Sequence, residues 1–157
     1  TDADRVQRAL APVQEEGILQ QSFLLANSTV QGTTLRDIRL AAARYNADAL
    51  LIIDGASAVE RYNNAHAAWY ATGIGASLAH GTESHALFMM EGTLWDVRTG
   101  YLYGTQTAEG ETTLVGPAPS LEDRTAVAEA KDVALERFSK ELAEMLRLLR
   151  EKQRAMK

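Results

Sequence analysis

Cysteine is absent from the 157 residues, which excludes disulfides, thiolate metal sites and thiol nucleophiles together. No run of about 18 strongly apolar residues occurs, so no segment reads as a transmembrane helix. A basic excess is missing as well: Lys and Arg number 16 against 21 for Asp and Glu, a net charge of −5. That balance disfavours a nucleic-acid footprint, which needs a basic face. The chain opens on Thr1 without a signal-peptide pattern, which points to a processed form. Lysine does not occur before Lys131; residues 1–119 carry 7 Arg against 13 acids, and residues 120–157 carry 9 basic groups against 8 acids. The basic side chains Arg147, Arg150, Lys152, Arg154 and Lys157 gather at the end, as cations do where they offset the negative end of a helix macrodipole. Charge is also missing from one internal stretch. Asn63 to Thr82 contains no Asp, Glu, Lys or Arg.

The length and a hydrophobic content of 46% describe one α/β domain over residues 1–157 with a sizeable core. Asp2 to Glu16 has Val6, Leu10 and Val13 at helical spacing, with Pro12 predicting a kink and Gly17 a stop. The apolar run Ser22 to Ala26 reads as a buried strand. Thr34 with Asp37 three residues on forms a capping box. It opens a helix whose inner face is Leu35, Ile38, Ala41, Ala42 and Tyr45, and Asn46 ends it. Ala49 to Ile53 is a continuous apolar run, the pattern of a strand covered on both faces. Strand, helix and strand in succession predict a parallel pair with a right-handed crossover.

Ser57 to Tyr62 extends that strand, and Ala86 to Val97 and Tyr101 to Thr113 form two more. Asp96-Val97-Arg98-Thr99-Gly100 supplies the hairpin loop between them. On the last strand Tyr101, Tyr103, Thr105, Thr107, Glu109 and Glu111 share an outer face, and Leu102, Gly104 and Ala108 lie under a helix. After the breaker Gly116-Pro117-Ala118-Pro119, Ser120 and Asp123 cap a long helix. Leu135, Phe138, Leu142, Met145 and Leu149 make its apolar stripe, which Leu146 and Leu148 widen. The expected order is therefore α-β-α-β-β-β-α, with a single mixed sheet of about four strands flanked by helices and a long C-terminal helix.

Two stretches also resemble a known family: Ala41-Ala42-Ala43-Arg44-Tyr45-Asn46-Ala47-Asp48-Ala49-Leu50-Leu51-Ile52-Ile53, and Gly92-Thr93-Leu94-Trp95-Asp96-Val97-Arg98-Thr99-Gly100-Tyr101-Leu102-Tyr103-Gly104. They resemble bacterial envelope lipoproteins of the rhombotarget type. More distantly, they resemble the curli-secretion lipoprotein and the amino-terminal domain of the Tol-system translocation protein. The resemblance spans residues 20–150 in element order. It implies a mixed sheet flanked by helices and a periplasmic setting, anchored to the outer membrane by a lipid carried on a cysteine upstream of Thr1. It brings no catalytic residues.

Candidate chemistry is sparse. His80, Glu83 and His85 are imidazole and carboxylate groups of the kind that bind zinc or nickel, although their spacing on a Gly-rich loop matches no helical metal motif; His66 stands apart. Ser57, Ser77 and Ser84 lack the G-x-S-x-G elbow, and Gly73-Ile74-Gly75 lacks the third glycine of a phosphate loop. Glu109 and Glu111 alternate onto one strand face, and Asp54 is read at a strand end, where α/β folds place functional groups.

The resulting expectation is a non-enzymatic envelope lipoprotein module that binds or scaffolds other envelope components. It has no catalytic, cofactor or metal residues, and its counterpart is a protein partner or a second copy. The charge-free stretch supplies the candidate interface, Trp69, Tyr70 and Leu78. The alternatives are a metal-dependent hydrolase using the histidine loop and a subunit of an oligomeric secretion assembly.

Overall fold

Pro12 sets the geometry of the amino terminus. The computed structural model of the chain describes residues 2–62, 82–116 and 123–156. In it the first expected helix is two short ones, α1 (Asp2–Ala9) and α2 (Ala11–Glu15). Pro12 sits in the first turn of α2, where its missing N–H removes no intrahelical bond. Gly17, at φ 69°, closes α2: its N–H bonds the Gln14 carbonyl at 2.9 Å, and Ile18 N–H bonds that of Val13 at 3.0 Å. This is the six-to-one and five-to-two pair that a left-handed residue permits.

Ser22 to Ala26 is not a strand, and the expected parallel crossover is therefore absent. The run is used as packing instead. Leu25 reaches the cluster under the next helix, and the Phe23 ring lies 6.0 Å from that of Tyr45, while Leu24 is exposed. A five-residue apolar run without alternation satisfies either role. A 3-10 turn, Asn27–Thr29, follows.

Helix α3 (Leu35–Arg44) begins as its sequence predicts. Thr34 Oγ1 accepts from Asp37 N–H at 3.3 Å, and Asp37 Oδ2 accepts from Thr34 N–H at 3.1 Å. It ends at Asn46, the non-glycine residue with positive φ among the described residues (53°), where Ala47 N–H bonds the Ala42 carbonyl at 3.3 Å. Side-chain amides tolerate this region better than most.

Three antiparallel strands follow in the order β1 (Ala49–Tyr62), β2 (Thr82–Asp96) and β3 (Leu102–Gly116). The α/β class stands, with three strands rather than about four and an antiparallel rather than a mixed sheet. Helix α4 (Asp123–Ala155) runs for 33 residues.

The chain divides into two compact units: Thr1–Asp54, Glu91–Thr107 and Phe138–Lys157 in the first, Gly55–Met90 and Ala108–Arg137 in the second. Within the first, alternation sends β1 side chains to two different helices. Ala42, Leu50 and Val97 are buried together, with Leu35, Ile38, Ile52 and Trp95 against them. On the opposite face Phe138 and Leu142 are fully buried. Gly92 lies under the Phe138 ring, where a Cβ would stand 2.8 Å from Cε2. Gly104 likewise lies against Met145. Leu146 joins the buried stripe as expected, whereas Leu148 faces outward.

Within the second unit the contact is made of small residues. Ala86, Ala126 and Ala130 form one buried cluster. Gly110 lies so close to α4 that a Cβ there would overlap the Ala130 carbonyl. Ser84, fully buried, donates to Asp123 at 3.3 Å. Along β3 the outer residues Thr107, Glu109 and Glu111 are exposed and Ala108 is buried, as expected, whereas Leu102, expected under a helix, is exposed at the start of the strand.

Candidate functional site

The densest polar construction among the described residues is the β2–β3 hairpin loop and the helix that braces it. Asp96 organises the loop. Its Oδ1 accepts the Thr99 backbone N–H at 2.6 Å and the Thr99 hydroxyl at 2.8 Å, and its Oδ2 accepts the Tyr103 hydroxyl at 2.7 Å. Gly100, at φ 76°, completes the turn, with Gly100 N–H on the Asp96 carbonyl at 3.0 Å and Asp96 N–H on that of Tyr101 at 2.8 Å. The Thr99 amide, then the Tyr103 and Thr99 hydroxyls, hold the Asp96 carboxyl well below the usual carboxylate range, because each donor favours the ionised form. The same bond to Asp96 raises the Tyr103 phenol above its ordinary value.

Arg39 fastens this loop to α3. Its Nε donates to the Val97 carbonyl at 2.9 Å and its Nη2 to the Arg98 carbonyl at 2.8 Å. Val97 N–H in turn bonds the Asp48 carbonyl at 2.9 Å, so the segment entering β1 holds the loop from a second direction. The Asp-Val-Arg-Thr-Gly stretch thus specifies a pre-built hairpin, in which the Asp96 and Thr99 side chains are consumed in building it and the Arg98 side chain is not.

Between α3 and this loop lies an open groove of about 1010 Å³. Its α3 wall carries Arg36, Arg39, Leu40 and Ala43. Its loop wall carries Asp96, Arg98 and Tyr103, and Asp48 and Gln153 also line it. Arg36 and Arg98 are exposed, and Leu40 is 54% exposed. The groove combines one fixed guanidinium, Arg39, and two exposed ones with an apolar shelf. That arrangement suits recognition of an anionic chain segment, and no nucleophile–base pair lies on it.

Trp69, Tyr70 and Leu78, the sequence candidates for an interface, lie outside the described residues, as do His66, His80, Ser77 and Gly73-Ile74-Gly75. The histidine segment is not all loop: β2 begins at Thr82, which puts His85 inside a strand, where its Nδ1 lies 2.9 Å from Thr113 Oγ1 on β3. Among the described residues no group of three His, Asp or Glu side chains is placed to hold a metal ion. Ser84 is buried against Asp123 rather than presented to solvent, and Ser57 is exposed on β1. Glu109 and Glu111 are exposed on one face of β3. Asp54 lies in mid-strand rather than at a strand end, because β1 continues to Tyr62.

At the basic end of α4, Arg147 is committed to a bidentate ion pair with Glu16, with Nη2 to Oε1 at 2.6 Å and Nε to Oε2 at 2.9 Å. This pairing lowers the Glu16 carboxyl. The groove itself was not foreseen from the sequence. Arg36 and Leu40 stand on the outer face of α3, and only the inner face carries a periodic signal.

No protein-family model and no curated protein matches this chain. A solved structure, that of a candidate lipoprotein from Caulobacter crescentus CB15, is similar at 10% identity and a TM-score of 0.35, over 75% of this chain and 86% of that one. No helix among the described residues is long and apolar enough to cross a membrane.

Proposed function

We propose that this chain is a non-enzymatic binding module of the bacterial envelope, carried on a lipid anchor that precedes Thr1 and working from the periplasmic side of the outer membrane. One observation carries the binding half. Asp96 and Arg39 hold the hairpin in a single geometry beside α3, so that a groove with exposed Arg36, Arg98 and Leu40 is preformed. Preorganisation of this kind lowers the entropic cost of association. The envelope half rests on the family resemblance of residues 41–53 and 92–104. Within the same reading, Trp69, Tyr70 and Leu78 belong to a contact surface with a protein partner or a second copy.

Expression of the full precursor in a Gram-negative host with an alkyne-palmitate label tests the anchor. Labelled protein in the outer-membrane fraction is the expected result, and unlabelled protein in the cytoplasm removes the envelope reading. The Trp69→Ser, Leu78→Ser double variant tests the contact surface. Loss of association at unchanged thermal stability supports it. A large fall in stability with association intact makes these residues core.

A further inference from the structure

We propose that the groove between α3 and the β2–β3 loop docks an acidic peptide segment of a partner protein, with Arg36 and Arg98 reading its carboxylates and Leu40 an adjoining apolar side chain. The inference deepens the binding-module reading and rests on it.

Three observations converge on this occupant. The first is charge. The lining carries the guanidiniums of Arg36, Arg39 and Arg98 against the carboxylates of Asp48 and Asp96. Three positive groups to two negative ones leave the lining net positive in a chain whose net charge is −5. The second is availability. Arg39 spends its donors on two carbonyls, one of them that of Arg98, but among the described residues the side chains of Arg36 and Arg98 enter no hydrogen bond or salt bridge. An arginine fork held near a rigid loop and left unpaired is suited to a carboxylate, which it can engage through two parallel bonds. The third is the apolar shelf. Leu40 is exposed beside the two free guanidiniums, with Ala43 next to it in the lining. A small inorganic anion would leave Leu40 uncovered, whereas a peptide bearing an acidic residue next to an apolar one covers it and pairs the charges together.

The test is a titration of the intact chain with a fluorescein-labelled ten-residue peptide of alternating glutamate and leucine, followed by anisotropy. Saturable binding that weakens as sodium chloride is raised is expected, since exposed charges are screened. The Arg36→Glu, Arg98→Glu double variant should weaken it by roughly tenfold or more, with an unchanged thermal midpoint because neither side chain holds the fold together. Leu40→Ser should weaken it further, and a lysine–leucine peptide should not bind. Equal weakening by Arg124→Glu, which lies outside the groove, would make the attraction one of bulk charge and overturn the proposal. Competition by millimolar inorganic phosphate would overturn it in favour of a simple anion site. Co-sedimentation with phosphatidylglycerol vesicles in place of peptide binding would assign the groove to a membrane surface. Concentration-dependent self-association abolished by the double variant would assign it to a second copy. Palmitate labelling and this titration fail independently. A labelled envelope protein that ignores the peptide loses this docking site and keeps the broader function.

Discussion

The Tyr103 hydroxyl donates to Asp96 Oδ2 at 2.7 Å while the other oxygen of the same carboxylate is held by Thr99 at 2.6 Å, so one side chain ties the first strand of the hairpin to its loop and to its second strand. A carboxylate that accepts bonds from both directions cannot be protonated without loosening both. The loop that walls the groove is therefore sensitive to acid.

The sign of that dependence follows from the direction of the shift. Asp96 is held below its ordinary value, first by the Thr99 amide and then by Tyr103. Its contribution is complete above the unfolded carboxylate value of about 3.9 and is lost as pH falls through the folded one. Glu16, bonded by Arg147, and Asp37, bonded by Thr34, are lowered in the same direction. The urea midpoint of the native chain is expected to fall steadily from about pH 5 downward, and Asp96→Asn should remove part of that slope. Tyr103 acts at the other extreme. Its phenol is raised by donating to Asp96, so its contribution is complete below about pH 10 and lost as pH rises through the folded value. Tyr103→Phe should flatten the alkaline limb and, by removing one of the donors that lower Asp96, shallow the acid limb in part while Thr99 keeps the rest. Midpoints measured across pH for the three proteins check both statements.

Gly110 is expected to be intolerant of any side chain. A Cβ at this position overlaps the Ala130 carbonyl and crowds the Ala134 amide nitrogen at 2.5 Å. Both are helix backbone, which cannot rotate away as a flexible side chain would. Gly110→Ala should cost about 3 kcal/mol, the upper part of the usual range for overpacking. Gly17→Ala meets nothing within 4 Å; its cost is conformational, about 1 kcal/mol from the positive φ. A urea midpoint for Gly110→Ala close to the native one would show that β3 can move off α4.

Much of the local structure was legible because it is specified by neighbours in the chain. Thr34 and Asp37, Gly17, Asn46 and the Asp96–Gly100 loop each satisfy backbone groups within a few residues, and each falls where the sequence places it. The outward face of β3 was legible for a similar reason, since period-two alternation is a local property. Ser22–Ala26 was misread because joining a sheet depends on a free edge elsewhere, which an apolar run cannot reveal. Asp54 was misplaced because Gly55 and Ala56 after it interrupt the apolar run before the extension at Ser57; pairing of β1 with β2 makes the strand continuous through them. The groove was invisible for a further reason. Arg36 and Arg98 are separated by 62 positions and become neighbours only through the bonds that Arg39 makes to the loop.

Those bonds make a prediction of their own. Arg39 reaches two consecutive carbonyls, Val97 and Arg98, through Nε and Nη2, a geometry that a planar fork meets and an ammonium does not. Arg39→Ala should destabilise the chain by about 1–2 kcal/mol, the worth of hydrogen bonds from a charged donor at a partly exposed site. Arg39→Lys should recover less than half of it. Amide exchange separates this from a general effect. Protection should be lost first at Val97 and Gly100, whose N–H groups bond Asp48 and Asp96. Uniform loss across β2 and β3 would mean that the clamp is not local.

The reading of residues 1–157 as one domain makes the last prediction, which concerns cooperativity. Strands β1, β2 and β3 and helix α4 each contribute residues to both compact units. Neither unit can lose its share of β2 or α4 without breaking backbone hydrogen bonds in an element that continues into the other. Breaking such an element midway exposes new helix or strand ends and their unpaired groups, which favours loss of the whole over loss of a part. Equilibrium urea unfolding is therefore expected to show one transition, with coincident curves from far-ultraviolet circular dichroism and tryptophan fluorescence. The Gly110→Ala variant sharpens the test, because its clash lies wholly in the second unit. It should shift both curves together with an unchanged slope. A curve in which circular dichroism splits into two steps, with only one displaced by Gly110→Ala, would establish two separately folding domains.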